Sequence, residues 1–232
     1  MKFHISSEIL YEEIQGSVIV LDLRTEAYYI LDPVATLLWR ALLVTDNDDE
    51  VFQAVQNEYA VERARLQTDL EAFKRHCITR GFLQEKESSR IIEKPQYVEP
   101  AQPNFLVIRG WWCLFRTVRS LSTLGFARTY REYSCLPIPK QNSDSDRLVE
   151  RSVDAFRVAE NFFLIRNAPQ DCLPRSLALF RFLRLAGLPV EHCIGVRRFP
   201  FAAHAWVEYR GHIVLDKPSQ QSAFQLLARI SA

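Results

Sequence analysis

Three side chains in the last third of the chain are of types that together can make a thiol nucleophile: Cys172 in QDCLPRSLAL, His204 in AAHAWVEY and Asp216 in HIVLD. A thiol attacks a carbonyl only after a base has taken its proton. An imidazole is suited to that task when a carboxylate fixes its tautomer. In such a set Cys172 is the nucleophile, His204 the proton carrier and Asp216 the orienting acid. The acyl-enzyme that follows is common to hydrolysis and to transfer onto an amine, so both outcomes stay open.

The elements that must position these groups are legible around them. Pro174 suits the first turn of a helix, which the pattern predicts from about Leu173 to Ala186 with Gly187 ending it. Cys172 then sits at a helix N-terminus, where the dipole favours a thiolate, while Asp171 beside it opposes that shift. The helix is apolar around most of its circumference, with Arg175, Ser176, Arg181 and Arg184 as its polar positions. HAWVEY and HIVLD read as two strands. A two-residue Arg-Gly turn would force a positive φ on Arg210, so a three-residue loop, Tyr209-Arg210-Gly211, is expected. That register makes His204 and Asp216 direct cross-strand neighbours, with Trp206 on the same face packing the imidazole. The Cys172 backbone N–H is the natural first oxyanion donor, and Gln170 or Asn167 could add a side-chain amide; Gln170 is the candidate. His192 and His212 read as structural. His192 and Cys193 are consecutive in a strand and point to opposite faces. A zinc site from Cys172, His204 and Cys193 or Asp216 lacks a visible fourth partner, so no metal is expected.

Bulk properties narrow the setting. The 232 residues are 48% hydrophobic and 25% charged with a formal net charge of +1, an ordinary globular balance with no strong field for nucleic acid or membrane. No apolar run spans a bilayer, and MKFHISSEILYEE lacks the apolar core of a signal peptide, so a cytoplasmic protein without membrane insertion is expected. The five cysteines are odd in number, widely spaced and without a C-x-x-C pair, which argues against a disulfide framework or zinc finger. No G-x-x-x-x-G-K-[ST] occurs among only seven glycines, so no ATP site and no cofactor is expected.

Residues 86–104, KESSRIIEKPQYVEPAQPN, read as a linker between domains at 1–85 and 105–232. In the first half SVIVLDL and AYYIL form a hairpin across RTE. Asp32 and Pro33 then start a helix, DDEVFQAVQNEY supplies a second, and ERARLQTDLEAFKRHCITRG a third that Gly81 ends. A hairpin with three helices is winged-helix-like. DNA binding is disfavoured because Glu62, Asp69 and Glu71 dilute the basic face of the third helix. The order of elements and the phrase YYILDPVATLLWRAL resemble the PqqD-like recognition elements of peptide-modifying enzymes. That resemblance implies that a leader peptide adds as a strand beside Ala27–Leu31, next to the third helix. Tyr28, Ile30, Phe73 and Lys74 are the candidate groove residues; the alternative for Tyr28, Ile30 and Phe73 is a plain core role.

The second half begins with helical segments, NFLVIRGWWCLFRTVRSL, TLGFARTYREY and RLVERSVDAFRVAENFFL. The order Cys, His, Asp is that of papain-like and transglutaminase-like enzymes. Residues 171–216, with C-L-P-R-S-L-A-L and P-F-x-A-H-A-W-V-E, resemble the B proteins of lasso peptide biosynthesis in their fused form. The resemblance implies an α+β chain: a winged-helix-like recognition domain followed by a papain/transglutaminase-like cysteine protease domain. It further implies a leader peptidase with Cys172, His204 and Asp216 in the roles above. The partners it implies are a lasso precursor and a separate ATP-dependent cyclase resembling asparagine synthetase. An acyl transferase on the same triad, or a non-catalytic precursor-binding chaperone, are the alternatives.

Overall fold

The computed structural model describes residues 3–85, 105–139, 145–162, 172–216 and 222–231. The chain divides into two compact units, Met1–Ile92 and Glu93–Ala232. The segment expected as a linker, 86–104, lies outside the described residues.

Unit 1 holds β1 (Phe3–Ile5), β2 (Ile9–Ile14), β3 (Ser17–Asp22), β4 (Ala27–Ile30), α1 (Pro33–Val44), α2 (Asp48–Gln56), α3 (Arg63–Thr79) and β5 (Leu83–Glu85). The Asp32 carboxylate accepts the Ala35 N–H at 2.7 Å and Pro33 opens α1, as their residue types predict. Gly81, at φ 68°, ends α3: its N–H donates to Ile78 and that of Phe82 to Cys77, the paired bonds of a left-handed cap. The expected hairpin is in fact a three-stranded antiparallel meander, β2-β3-β4, with β1 and β5 paired apart from it. β2 is hidden in the sequence because Glu12 and Glu13 break its apolar alternation, and its turn, Gln15-Gly16, lacks an Asn or Asp signal. Both turn residues nonetheless adopt positive φ, 52° and 74°. The helices cover one face of the meander around Trp39, Leu42, Val55, Leu66 and Leu70, against Val18 and Val20 of β3.

Unit 2 holds α4 (Leu106–Ser134), α5 (Ser145–Phe162), α6 (Cys172–Leu185), β6 (Val190–Arg197), β7 (Ala202–Tyr209), β8 (His212–Val214) and β9 (Gln225–Ile230). The last four strands form an antiparallel sheet in the order β8-β7-β6-β9. α4 is broken at Gly125, which has φ 76° and ψ 173°. α6 is buried nearly all round and Gly187 ends it in the same left-handed manner as Gly81, with Leu188 N–H donating to Leu183. Three of its four polar positions, Ser176, Arg181 and Arg184, are buried. The Arg184 guanidinium donates to the carbonyls of Val190, Pro137 and Ser231, so a buried cation there satisfies backbone rather than solvent.

His192 is fully buried between α6 and the sheet, with Nε2 at 2.9 Å from Ser176 Oγ and the rings of Tyr130 and Phe180 against its edges. Burial holds this imidazole neutral, down to about 3 from an ordinary 6.5. Between those values the unfolded chain binds a proton that the native chain refuses, so stability falls as pH drops. We expect a contribution of about 1.4 kcal/mol per pH unit between roughly pH 6 and 4. Denaturant titrations across that window should give a shallower dependence for His192→Phe than for the wild type; equal slopes would refute the assignment.

Candidate functional site

Cys172 is the first residue of α6 and is partly exposed. Burial pushes the thiols of Cys77 and Cys193 up to about 12, and Cys113 is buried as well, so these three are packing groups. Cys135, partly exposed like Cys172, caps the end of α4.

His204 lies near the start of β7, directly opposite Gly195 of β6. His192 of β6 faces α6 and pairs with Val207, so Ala205 and Val207 face the helices while His204, Trp206 and Glu208 share the other side of β7. The Trp206 ring stacks on the imidazole, with centroids 5.9 Å apart and planes 17° from parallel, and Phe224 sits 5.5 Å away on another side. Trp206 is held in turn: its Nε1–H donates to Glu208 Oε1 at 2.7 Å, and Arg229 donates to the other carboxylate oxygen of Glu208. Gly195 makes room for this indole. A Cβ there would meet two Trp206 ring carbons at 2.6 and 2.7 Å and the Gln225 carbonyl oxygen at 3.0 Å. We therefore expect Gly195→Ala to cost about 1–3 kcal/mol in a denaturant melt and to disturb the stacking on His204. A melt identical to the wild type would show that the ring has room to move.

The turn between β7 and β8 corrects the expected register. Tyr209 pairs with His212 and Glu208 with Ile213, so the loop is the two-residue Arg210-Gly211, both at positive φ, 52° and 75°. The strain on Arg210 is offset from elsewhere: Asp146 of α5 bonds both the Arg210 guanidinium and the Tyr209 hydroxyl. In this register His204 and Asp216 are not ladder partners. β8 stops at Val214, and Leu215 takes a left-handed conformation, φ 77°, that re-aims Asp216.

Asp216 instead meets Arg175 of α6, whose Nη1 donates to Asp216 Oδ1 at 2.5 Å. Arg175 also grips the Glu160 carboxylate of α5 through Nε and Nη2. His204 is within electrostatic range of both ions. Its imidazole is held below the ordinary value, first by burial and also by the Arg175 cation, with Asp216 opposing. Asp216 thus meets Arg175 in the first turn of α6, which Cys172 begins, and His204 is in electrostatic range of both charges. The sequence pattern marks Arg175 only as a polar position of the helix. Its signal was a cation one turn after Cys172, ahead of the two arginines, Arg181 and Arg184, in the later turns of the helix. Gln170 and Asn167 lie outside the described residues. Among the described residues no three His, Cys, Asp or Glu side chains converge as metal ligands.

In unit 1, β4 is the edge of its sheet. Leu31 N–H donates to the Val18 carbonyl at 2.9 Å, which makes Tyr29 with Val20 and Ala27 with Asp22 the bonded pairs. The backbone N–H and C=O of Tyr28 and Ile30 accordingly point away from β3. Their side chains lie opposite Leu21 and Ile19, whereas Tyr29 and Phe73 pack on the helix-side core. The four groove candidates therefore do not line one wall. Phe73 is on the α3 side, Tyr28 and Ile30 are on the far face of the sheet, and Lys74 is ion-paired with Asp48. Tyr29, absent from those candidates, lies on the α3 side and carries the Arg80 guanidinium over its ring. Two further basic residues of α3 are ion-paired, Arg63 with Asp49 and Arg65 with Asp69.

Comparison with known proteins follows the same division. The transglutaminase-like superfamily profile matches residues 111–229, just over half of the chain. That of coenzyme PQQ synthesis protein D (PqqD) matches residues 17–83. The microcin J25-processing protein McjB of Escherichia coli is 38% identical over 60 residues, 26% of this chain and 29% of that protein. The chain thus aligns with less than a third of this relative's length. The solved structure of TbiB1 in complex with the TbiA(beta) leader peptide is 30% identical, covers 38% of this chain and all of its own, and superposes with a TM-score of 0.33. No helix among the described residues is long and apolar enough to cross a membrane.

Proposed function

The chain belongs to the transglutaminase-like superfamily and carries a PqqD-type element before that domain, and from this premise we propose that it is the leader peptidase of a lasso peptide system. The domain at 1–85 holds the leader of a ribosomally made precursor as an added strand on β4. The domain at 105–232 hydrolyses the leader–core bond. The observation that carries this reading is the meeting of Asp216 with Arg175, one turn from Cys172 and in electrostatic range of His204.

In the proposed reaction His204 takes the Cys172 thiol proton, and the thiolate attacks the carbonyl of the last leader residue. The Cys172 backbone N–H, at the start of α6, donates to the developing oxyanion. The core amine leaves with the proton from His204, and water releases the leader from the sulfur with His204 again as base. A separate ATP-dependent cyclase resembling asparagine synthetase takes up the freed amine, and the system works in the cytoplasm. Joining the two domains across 86–104 raises the effective concentration of the scissile bond at Cys172.

Mass spectrometry of a lasso precursor incubated with the chain in ¹⁸O-water, with and without the cyclase and ATP, tests the reading. Hydrolysis predicts one cut at the leader–core junction with ¹⁸O in the leader carboxylate. An adduct with an added amine in place of ¹⁸O would make the chain an acyl transferase. Binding of the leader with no cut under any condition would make it a precursor-binding chaperone.

A further inference from the structure

Arg175 occupies a position that the triad chemistry does not require and that the structure builds with care. It lies three residues after Cys172, so both project from the same side of the first turn of α6. Its planar fork is divided between two carboxylates from different elements. Nε and Nη2 hold Glu160 on α5, and Nη1 reaches Asp216, which follows β8. Asp216 itself has left the β-ladder. Leu215 is left-handed, and no β8 pairing extends beyond Val214. What the expected cross-strand register would have done through backbone, a side-chain clamp does here.

We infer that Arg175, braced by Glu160, is a positioning residue that presents Asp216 to His204 across the first turn of the cysteine-bearing helix. The inference rests on the peptidase reading for the roles of His204 and Asp216. Lysine cannot reproduce the arrangement: an ammonium is a point charge without the rigid fork that engages two carboxylates in fixed directions. The cation has a second effect, since it opposes protonation of His204 while Asp216 favours it. Among the described residues, the charged groups that act on the imidazole are Arg175 on α6 and Asp216, with Glu160 on α5 behind Arg175. Arg197 lies over the Phe224 ring that packs on the imidazole, and Glu208 lies behind Trp206.

The test compares wild type, Arg175→Lys, Arg175→Met and the double variant Arg175→Met/Glu160→Gln, which restores the local charge sum if the single variant folds poorly. Two readouts are taken: precursor cleavage against pH, and the pH profile of site-resolved alkylation at Cys172, which needs no substrate. Arg175→Met and the double variant should lose about 100-fold in kcat with little change in KM, as expected when a catalytic group is misplaced by about an ångström. The acid limb of both profiles should move to higher pH, because the cation opposing His204 protonation is gone. Arg175→Lys should keep the limb near the wild-type position yet still lose kcat. Unchanged kcat and unchanged limbs in all three variants would overturn the role of Arg175. If the wild type cuts nothing but the Cys172 alkylation profile still shifts with Arg175, the peptidase reading fails and the clamp stands.

Discussion

Cys172→Ala is expected to abolish leader release, lowering its rate by at least about 10⁴-fold, while leader affinity stays at the wild-type value. The size of the effect follows from chemistry: without sulfur there is no acyl-enzyme, and neither water nor a neighbouring side chain can attack with comparable ease. No other thiol can substitute. Cys77 and Cys193 are buried with pKa values near 12, Cys113 is buried, and Cys135 ends a different helix. The unchanged affinity follows from organisation, since the strand proposed to hold the leader belongs to a different compact unit. Time-resolved mass spectrometry and leader-peptide titration on the same preparation make the two measurements. Residual cutting above about one part in a thousand would remove Cys172 from the nucleophile's role. A parallel loss of leader binding would mean that the two units do not act separately.

The second large effect is expected in unit 1. Ile30→Pro should weaken leader binding by about 10- to 100-fold with the fold retained. At this edge position the N–H points away from β3, so proline removes no bond of the existing ladder. It does remove a donor that an added strand needs and leaves a leader carbonyl unpaired, worth about 1–3 kcal/mol. Ile30→Ala separates this from the loss of the side chain, which is 43% exposed and whose truncation should matter less. Tyr29→Pro supplies the contrast. The Tyr29 N–H lies within the bonded pair with Val20, so proline there should destabilise unit 1 itself. Circular dichroism and leader titration of the three variants decide the matter. Full affinity in a folded Ile30→Pro protein would exclude strand addition at β4.

Some of this protein was determined by sequence alone, and the physics is local in each case. Asp32 and Pro33 begin α1, Gly81 ends α3 and Gly187 ends α6, because caps and left-handed glycines act over four or five residues. The strands around His204 and the placement of Cys172 at the head of a buried helix were legible for the same reason: apolar periodicity needs no knowledge of distant chain. The register after β7 was not. A turn rule disfavours positive φ at Arg210, yet Asp146, 64 residues earlier, supplies an ion pair that offsets the strain. β1 and β5 leave no legible sequence signal because each is three residues long and its partner lies some eighty residues away. Above all, sequence could name Asp216 but not its partner. The Arg175 guanidinium reaches it across 41 residues, only after Leu215 has turned the chain out of the sheet. Which carboxylate a cation holds depends on where two elements pack, and that is a tertiary fact.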